Sequence, residues 1–495
     1  MKLNAVTRSQ IILLCAQAGR LILYVAVAAL LGRRLAPEDF GFVALVSSIY
    51  IVAVEILDLG TAAVAIRQIA ARPDCERETL ATLLALRRLI AALVFVLILG
   101  LSFSNYFEHR DQRFVLVGVA CGLFLLHLHV YQLVFQLRQA YGQLTVLGLS
   151  GQLGFLLLSL AALRMQAGGA VIALLVVTRE IVQALGTRWL ALRMLGEPLR
   201  APWLPAAMWP LLKSGWMIGM AGVCYKLSTY SGGFMLWELA APEALASFSA
   251  AQRLLVPMAD MAWLFVTPLI AALGVAAARD AAMYRLQMEA YAKLLLGASS
   301  LVAVAGFSCA PLVLRLLYGE QYASGPWSSV SAFRWLALAC VFALVTPLLA
   351  VGETSQGRAR PLLFTSLACL GLSLAGNIWA IPRYGSEGAA MVLCACEAFV
   401  LLALLTRCIC RGEARVDPTW AAYLAPATLL GLATWAVSDS PVIQMLVCWV
   451  WVPASLLVMA RFPAQQARRA SLDTATSQWN PQPSAVTSAM PPDSR

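Results

Sequence analysis

Several ionisable side chains of this sequence sit inside long apolar runs, and the chemistry open to them there is electrostatic. Arg20, Lys226, Arg253 and Arg334 each fall well inside such a run. A cation at the centre of hydrocarbon costs about 2.5–3.5 kcal/mol on insertion scales, so it is expected to face a bundle interior or a wet cavity. Four such cations would suit an anionic headgroup. Arginine fits phosphate well because its planar fork donates two parallel hydrogen bonds. Three acids within apolar runs are candidates beside them: Glu55 and Asp58 in the second run, and Asp260 in the run of Arg253. They could couple transport to an ion, or they could pair internally. Arg20 with Asp58, and Arg253 with Asp260, are the pairings considered; Lys226 has no obvious acid near it in sequence. Arg179 beside Glu180 reads as a structural ion pair. Arg87, Arg88 and Arg315 lie near run ends, where they can snorkel. His127 and His129 are two apart and point to different faces, open to a proton relay or to polar packing.

Other chemistries find no support. The three histidines, His109, His127 and His129, cluster in one stretch and suggest no Ser-His-Asp set. No Gly-rich phosphate loop of the Walker type is present. Twelve cysteines occur, mostly within apolar runs. Cys394 with Cys396 and Cys408 with Cys410 lack the loops of a zinc site, so no metal or other cofactor is expected. No catalytic residue is assigned and no enzyme activity is expected.

The elements that would position these charges are membrane helices. The chain has 495 residues, 61% hydrophobic and 12% charged. A soluble domain carries roughly 25% charged residues. The apolar residues fall in blocks of roughly 20 to 30, the length a helix needs to cross the hydrocarbon. The blocks are apolar all round, which favours helices over barrel strands. They predict an all-α integral membrane protein of about fourteen spans: 10–31, 41–66, 82–104, 114–137, 143–163, 168–192, 209–237, 243–275, 291–317, 326–351, 361–381, 387–409, 419–437 and 441–460. The first block shows no cleavage site of a signal peptide. Prolines at 257, 268, 311 and 347 would bend their helices, as hinges or as packing kinks.

The net charge of +11 sits between the blocks. Loops on the side of the N-terminus carry several-fold more Lys and Arg than the opposite loops. Both ends are therefore placed in the cytoplasm, and no nucleic-acid partner is implied. The loops are too short for an extramembrane catalytic domain. The tail 461–495 is rich in Pro, Ser, Thr and Gln and is expected to be disordered; its Arg468 and Arg469 could touch membrane lipids.

A repeat organises the spans. Leu35-Ala-Pro-Glu-Asp-Phe-Gly41 is echoed by Ala240-Ala-Pro-Glu-Ala-Leu-Ala246, and Gly169-Ala170 by Gly388-Ala389. The similar offsets predict two six-helix lobes in a parallel pseudo-repeat, residues 1–193 and 194–411, followed by two further helices in 412–460. Substrate is expected between such halves, near the midplane.

Five segments carry a resemblance: Arg33-Arg-Leu-Ala-Pro-Glu-Asp-Phe-Gly41; Asp58-Leu-Gly60; Phe248-Ser-Ala-Ala-Gln-Arg253 with Pro268; Leu316-Leu-Tyr-Gly-Glu-Gln-Tyr322; and Asn377 ahead of Ile381-Pro-Arg-Tyr-Gly-Ser-Glu-Gly-Ala-Ala390. In order and spacing, up to about residue 411, the chain resembles the polysaccharide flippases of the MOP superfamily, the Wzx-type exporters. The resemblance implies a V-shaped pair of lobes around a central cavity. It implies an undecaprenyl-pyrophosphate oligosaccharide moved from the cytoplasmic to the periplasmic leaflet of a bacterial inner membrane, serving lipopolysaccharide, O-antigen or exopolysaccharide synthesis. It gives Arg20 and Arg253 the pyrophosphate. The polysaccharide polymerase and export machinery would be partners. Fourteen spans instead of twelve is a departure shared with the lipid II flippase branch, where the last two could line a groove for the lipid tail.

Three other readings compete. A multidrug exporter of the same superfamily would bind cations and want an acidic cavity, whereas here cations outnumber acids within the helices. A membrane polymerase or ligase would want a large outer loop. A purely structural subunit would have little use for buried charges.

Overall fold

The computed structural model describes residues 5–103, 110–138, 140–200, 205–266, 273, 281–325, 328–413, 424–426 and 429. The predicted spans 419–437 and 441–460, the tail and Pro268 lie outside the described residues, apart from the four positions from 424 to 429. The described elements are helical throughout. Eight described segments are long and apolar enough to cross a bilayer, and this is a multi-pass membrane protein.

The first span is α1 (Ala5–Arg34). Two residues later α2 (Pro37–Asp58) begins with Pro37 in its first turn and with Glu38 and Asp39 at the positive end of its dipole. The second predicted span is really two helices. Leu59 and Gly60 take left-handed backbone angles, with φ of 42° and 70°, before α3 (Thr61–Ala71). The break lies against α9 (Pro205–Leu239), and a Cβ at Gly219 would meet the Leu59 carbonyl carbon at 2.0 Å. Only glycine at 219 allows that approach.

Next come α4 (Glu76–Ser102) and α5 (Arg110–Leu125). A 3₁₀ stretch, Leu126–Tyr131, joins α5 to α6 (Gln132–Leu137). The fourth predicted span therefore carries a tightened turn, a feature often found where a helix must re-aim side chains. The first half closes with α7 (Tyr141–Arg164) and α8 (Gly169–Leu195).

The second half starts with α9 and continues with α10 (Pro242–Val266), which opens on Pro242 and Glu243 as α2 opens on Pro37 and Glu38. These matched starts touch, since a Cβ on Gly41 would lie 2.9 Å from the Pro242 carbonyl oxygen. There follow α11 (Ala281–Tyr318), the short α12 (Glu320–Ala323), α13 (Val330–Ser355) and α14 (Ala359–Cys410). Gly385, at φ 55° and ψ −128°, breaks α14 into the two predicted spans 361–381 and 387–409. Its arms fold back on each other: Gly376 meets Val392, and the Cys369 and Cys396 thiols each reach the other's carbonyl at 3.9 and 3.8 Å.

One apolar cluster runs through the middle of the molecule, joining Leu45, Leu123 and Ile172 of the first half to Phe248, Leu314 and Leu336 of the second. Two further clusters belong to one half each, around Leu83 and Phe135 and around Met288 and Val400. A polar seam ties α9 to α14. Ser231 and Ser373 share a hydrogen bond of 2.7 Å, Asn377 Nδ2 donates to Ser231 at 3.4 Å, and the Tyr225 hydroxyl donates to Glu397 at 2.9 Å. Such bonds between membrane helices replace the hydrophobic drive that lipid removes.

Candidate functional site

A cavity of about 580 Å³ lies between the halves, walled by α1, α2, α7, α8, α9 and α10 together with the 3₁₀ turn. Arg20 reaches it from α1. Gly148 on α7 faces it, with the Arg20 Cδ and Nε 3.8 and 3.9 Å from where a Cβ would stand. Arg253 enters from α10, its guanidinium 5.1 Å from the Phe40 ring centroid and within 3.4 Å of the Ser47 hydroxyl. Arg179 and Glu180, adjacent on α8, form an ion pair at the wall. Arg179 also donates to Gln152 at 2.9 Å and sits 5.4 Å over the Phe155 ring.

Among the described lining residues, three arginines and one carboxylate give a positive balance. Around them stand uncharged hydrogen-bonding groups: Gln132, Gln152, Gln183, Gln252, Ser47, Ser48 and Ser249, with Tyr24 and Tyr230. Gln252 is anchored by donating to the Thr229 carbonyl at 3.1 Å. His129 lines the cavity from the 3₁₀ turn, while His127 faces a separate pocket, as their spacing predicts. The arrangement can hold an anion and, beside it, a molecule rich in hydroxyls.

Aromatic rings form a plug beside Arg253. Phe40, Tyr318 and Tyr322 pack with ring centroids 5.6 to 6.2 Å apart. The Tyr318 ring lies on Gly32, where a Cβ would come within 2.3 Å of it. Arg33 Nε donates to the Leu317 carbonyl at 2.9 Å and its guanidinium also binds the Leu316 carbonyl; Gln321 donates to the Gly32 carbonyl at 3.1 Å. Two of the motif segments of the sequence are thus fastened to each other across the halves.

The other candidate residues lie elsewhere. Lys226 is on α9 and Arg334 on α13, and neither is among the described lining residues. Arg334 stacks over Phe307 at 4.9 Å and donates to its carbonyl at 3.4 Å. Glu55 packs against α9 at Gly222. Asp58 does not neutralise Arg20: it is bonded to Arg87 and accepts from the Ala62 amide at 3.3 Å, capping α3. Arg87 accordingly does not snorkel but is buried. The Asp260 side chain lies outside the described residues. Sequence reasoning undervalued Arg179 and Glu180 and passed over the glutamines, whose one legible signal was an amide within an apolar run.

Residues 6–273 match the family described as polysaccharide biosynthesis protein. The chain belongs to that family. No curated protein sequence matches this family member. Its fold is shared with several solved membrane proteins. It is similar to a lipid II flippase, MurJ, in an inward closed conformation, at 11% identity over 90% of this chain and 98% of that one, with a TM-score of 0.70. It is also similar to a multidrug resistance MATE family transporter of the MOP superfamily in an inward-facing conformation, at 15% identity over 79% and 95% of the two chains, with a TM-score of 0.62. The outward-facing form of such a transporter aligns at 13% identity over 82% and 96%, with a TM-score of 0.57. The polysaccharide biosynthesis protein therefore has the fold of a transporter.

Proposed function

We propose that this protein is a flippase that moves an undecaprenyl-pyrophosphate-linked oligosaccharide from the cytoplasmic to the periplasmic leaflet for cell-surface polysaccharide synthesis. The observation that carries the reading is the cavity between the halves, where Arg20 of the first half and Arg253 of the second line one space with Arg179 and, among the described residues, one acid, Glu180. The arginines hold the pyrophosphate. The glutamine, serine and tyrosine side chains meet the sugar hydroxyls, and the prenyl tail stays in lipid. Cations of fixed position lower the cost of carrying a diphosphate through a low-dielectric region. Movement of two six-helix lobes, 1–193 and 194–411, would then expose the cavity to the other side. Loop charge supports cytoplasmic termini and a place in the bacterial inner membrane. Lys226 and Arg334 take no part in headgroup binding in this reading, Asp58 and Glu55 are positioned to tie helices together, and the polymerase and export machinery act downstream.

The fold likeness to multidrug transporters supports a second reading, drug export, against which the positive balance of the cavity argues. The experiment is complementation of a deletion strain. Arg20→Ala with Arg253→Ala is expected to insert into the membrane at the wild-type level and to restore less than about a tenth of surface polymer, the loss expected when more than 1.4 kcal/mol of binding is removed. Full restoration by the double variant would refute the headgroup site. Sensitivity to cationic drugs with normal polymer would favour the exporter.

A further inference from the structure

The first half holds a second pocket, of about 150 Å³, apart from the transport cavity. Arg88 of α4 and Arg188 of α8 converge on it beside His127 of the 3₁₀ turn, and no carboxylate is among its described lining residues. Arg87, one position earlier, has Asp58; among the described residues Arg88 and Arg188 have no ion pair. The His127 Nδ1–H donates to the Phe124 carbonyl at 2.5 Å, which fixes the ring as part of the pocket wall. Two guanidinium groups around one small space repel each other, and an anion relieves that repulsion.

The surroundings indicate where the anion comes from. The positions flanking the pocket on α4 and α8 are outward-facing and apolar: Leu93, Val182 and Leu185 are exposed. Next to Arg188, Trp189 is also exposed and carries the Arg193 guanidinium 3.6 Å above its ring. Tryptophan and arginine side by side on an outward face mark the level where headgroups meet hydrocarbon. A soluble phosphate would gain nothing from the apolar flank, whereas a phospholipid fills both parts.

We propose that Arg88 and Arg188 bind the phosphate of an anionic membrane phospholipid whose acyl chains lie along the exposed faces of α4 and α8. The site is independent of the transport cavity, so it stands whatever the transported substrate is.

The test is calorimetric titration of the detergent-purified full chain with dihexanoyl phosphatidylglycerol, dihexanoyl phosphatidylcholine and inorganic phosphate. Phosphatidylglycerol is expected to bind at least tenfold more tightly than either of the others. Arg88→Gln with Arg188→Gln should weaken it at least tenfold, and Arg188→Gln alone at least threefold. Both side chains are exposed, so these variants should elute as the wild type does. Arg193→Gln, which removes the same charge from outside the pocket, should change affinity less than twofold. Equal binding of the two lipids, or full affinity in the glutamine variants, overturns the site. Inorganic phosphate binding as tightly as phosphatidylglycerol assigns the pocket to a soluble anion and overturns the lipid assignment.

Discussion

Arg20 and Arg253 stand out in the sequence because each is a charge in an apolar run, and a membrane tolerates such a charge only where it has work or company. Their shared cavity could not be read so directly. Arg20 meets Gly148 of α7, 128 positions away, and no spacing in the sequence signals that meeting. Asp58 illustrates the opposite limit. Its partner Arg87 lies 29 residues off on another helix, so spacing alone could not separate it from Arg20. The pair predicts a sharp asymmetry. Asp58→Ala strands a buried guanidinium and should destabilise the protein by about 3 kcal/mol, whereas Asp58→Asn with Arg87→Leu should recover much of that. Thermal unfolding in detergent measures it, and equal melting temperatures for Asp58→Ala and wild type would contradict it.

Helix identity was legible from length and hydropathy, and twelve of the fourteen predicted spans fall on described helices. Breaks within helices were less so. The predicted span 41–66 runs through Asp58-Leu-Gly60 without showing the break there that separates α2 from α3. The 3₁₀ turn at Leu126–Tyr131 left no signal, since its leucines, valine and histidines suit an α-helix as well. The turn nevertheless decides which way His127 and His129 face. The break at Leu59 depends on close backbone contact with Gly219, so Gly219→Val should prevent α2 and α9 from meeting. Overpacking costs typically 1–3 kcal/mol, and here backbone is the obstacle, so the expected outcome is loss of folded protein at the membrane. Normal yields of a monodisperse Gly219→Val protein would show that the contact is dispensable.

At the scale of the molecule, the two halves are joined by their motif segments. Arg33 and Gly32 of the first half grip Leu316, Leu317, Tyr318 and Gln321 of the second. Each segment was visible in the sequence, but their meeting, across more than 280 positions, was not. If transport requires this plug to open, a covalent lock should stop it. Cysteines at Arg33 and Gln321, joined by a disulfide-containing bifunctional thiol reagent in a background freed of native cysteines, are expected to abolish export when crosslinked and to recover it on reduction. Export unaffected by the crosslink would mean that the plug is not part of the cycle.

The central claim is that the arginine cavity carries a lipid-linked diphosphate across the bilayer. The most direct measurement is transbilayer movement of undecaprenyl-pyrophosphate oligosaccharide in proteoliposomes, read by the fraction accessible to a glycan-cleaving enzyme added outside. The account predicts that the full chain raises that fraction with time and that Arg20→Ala with Arg253→Ala leaves it at the level of protein-free vesicles. Movement at the wild-type rate in the double variant would contradict it.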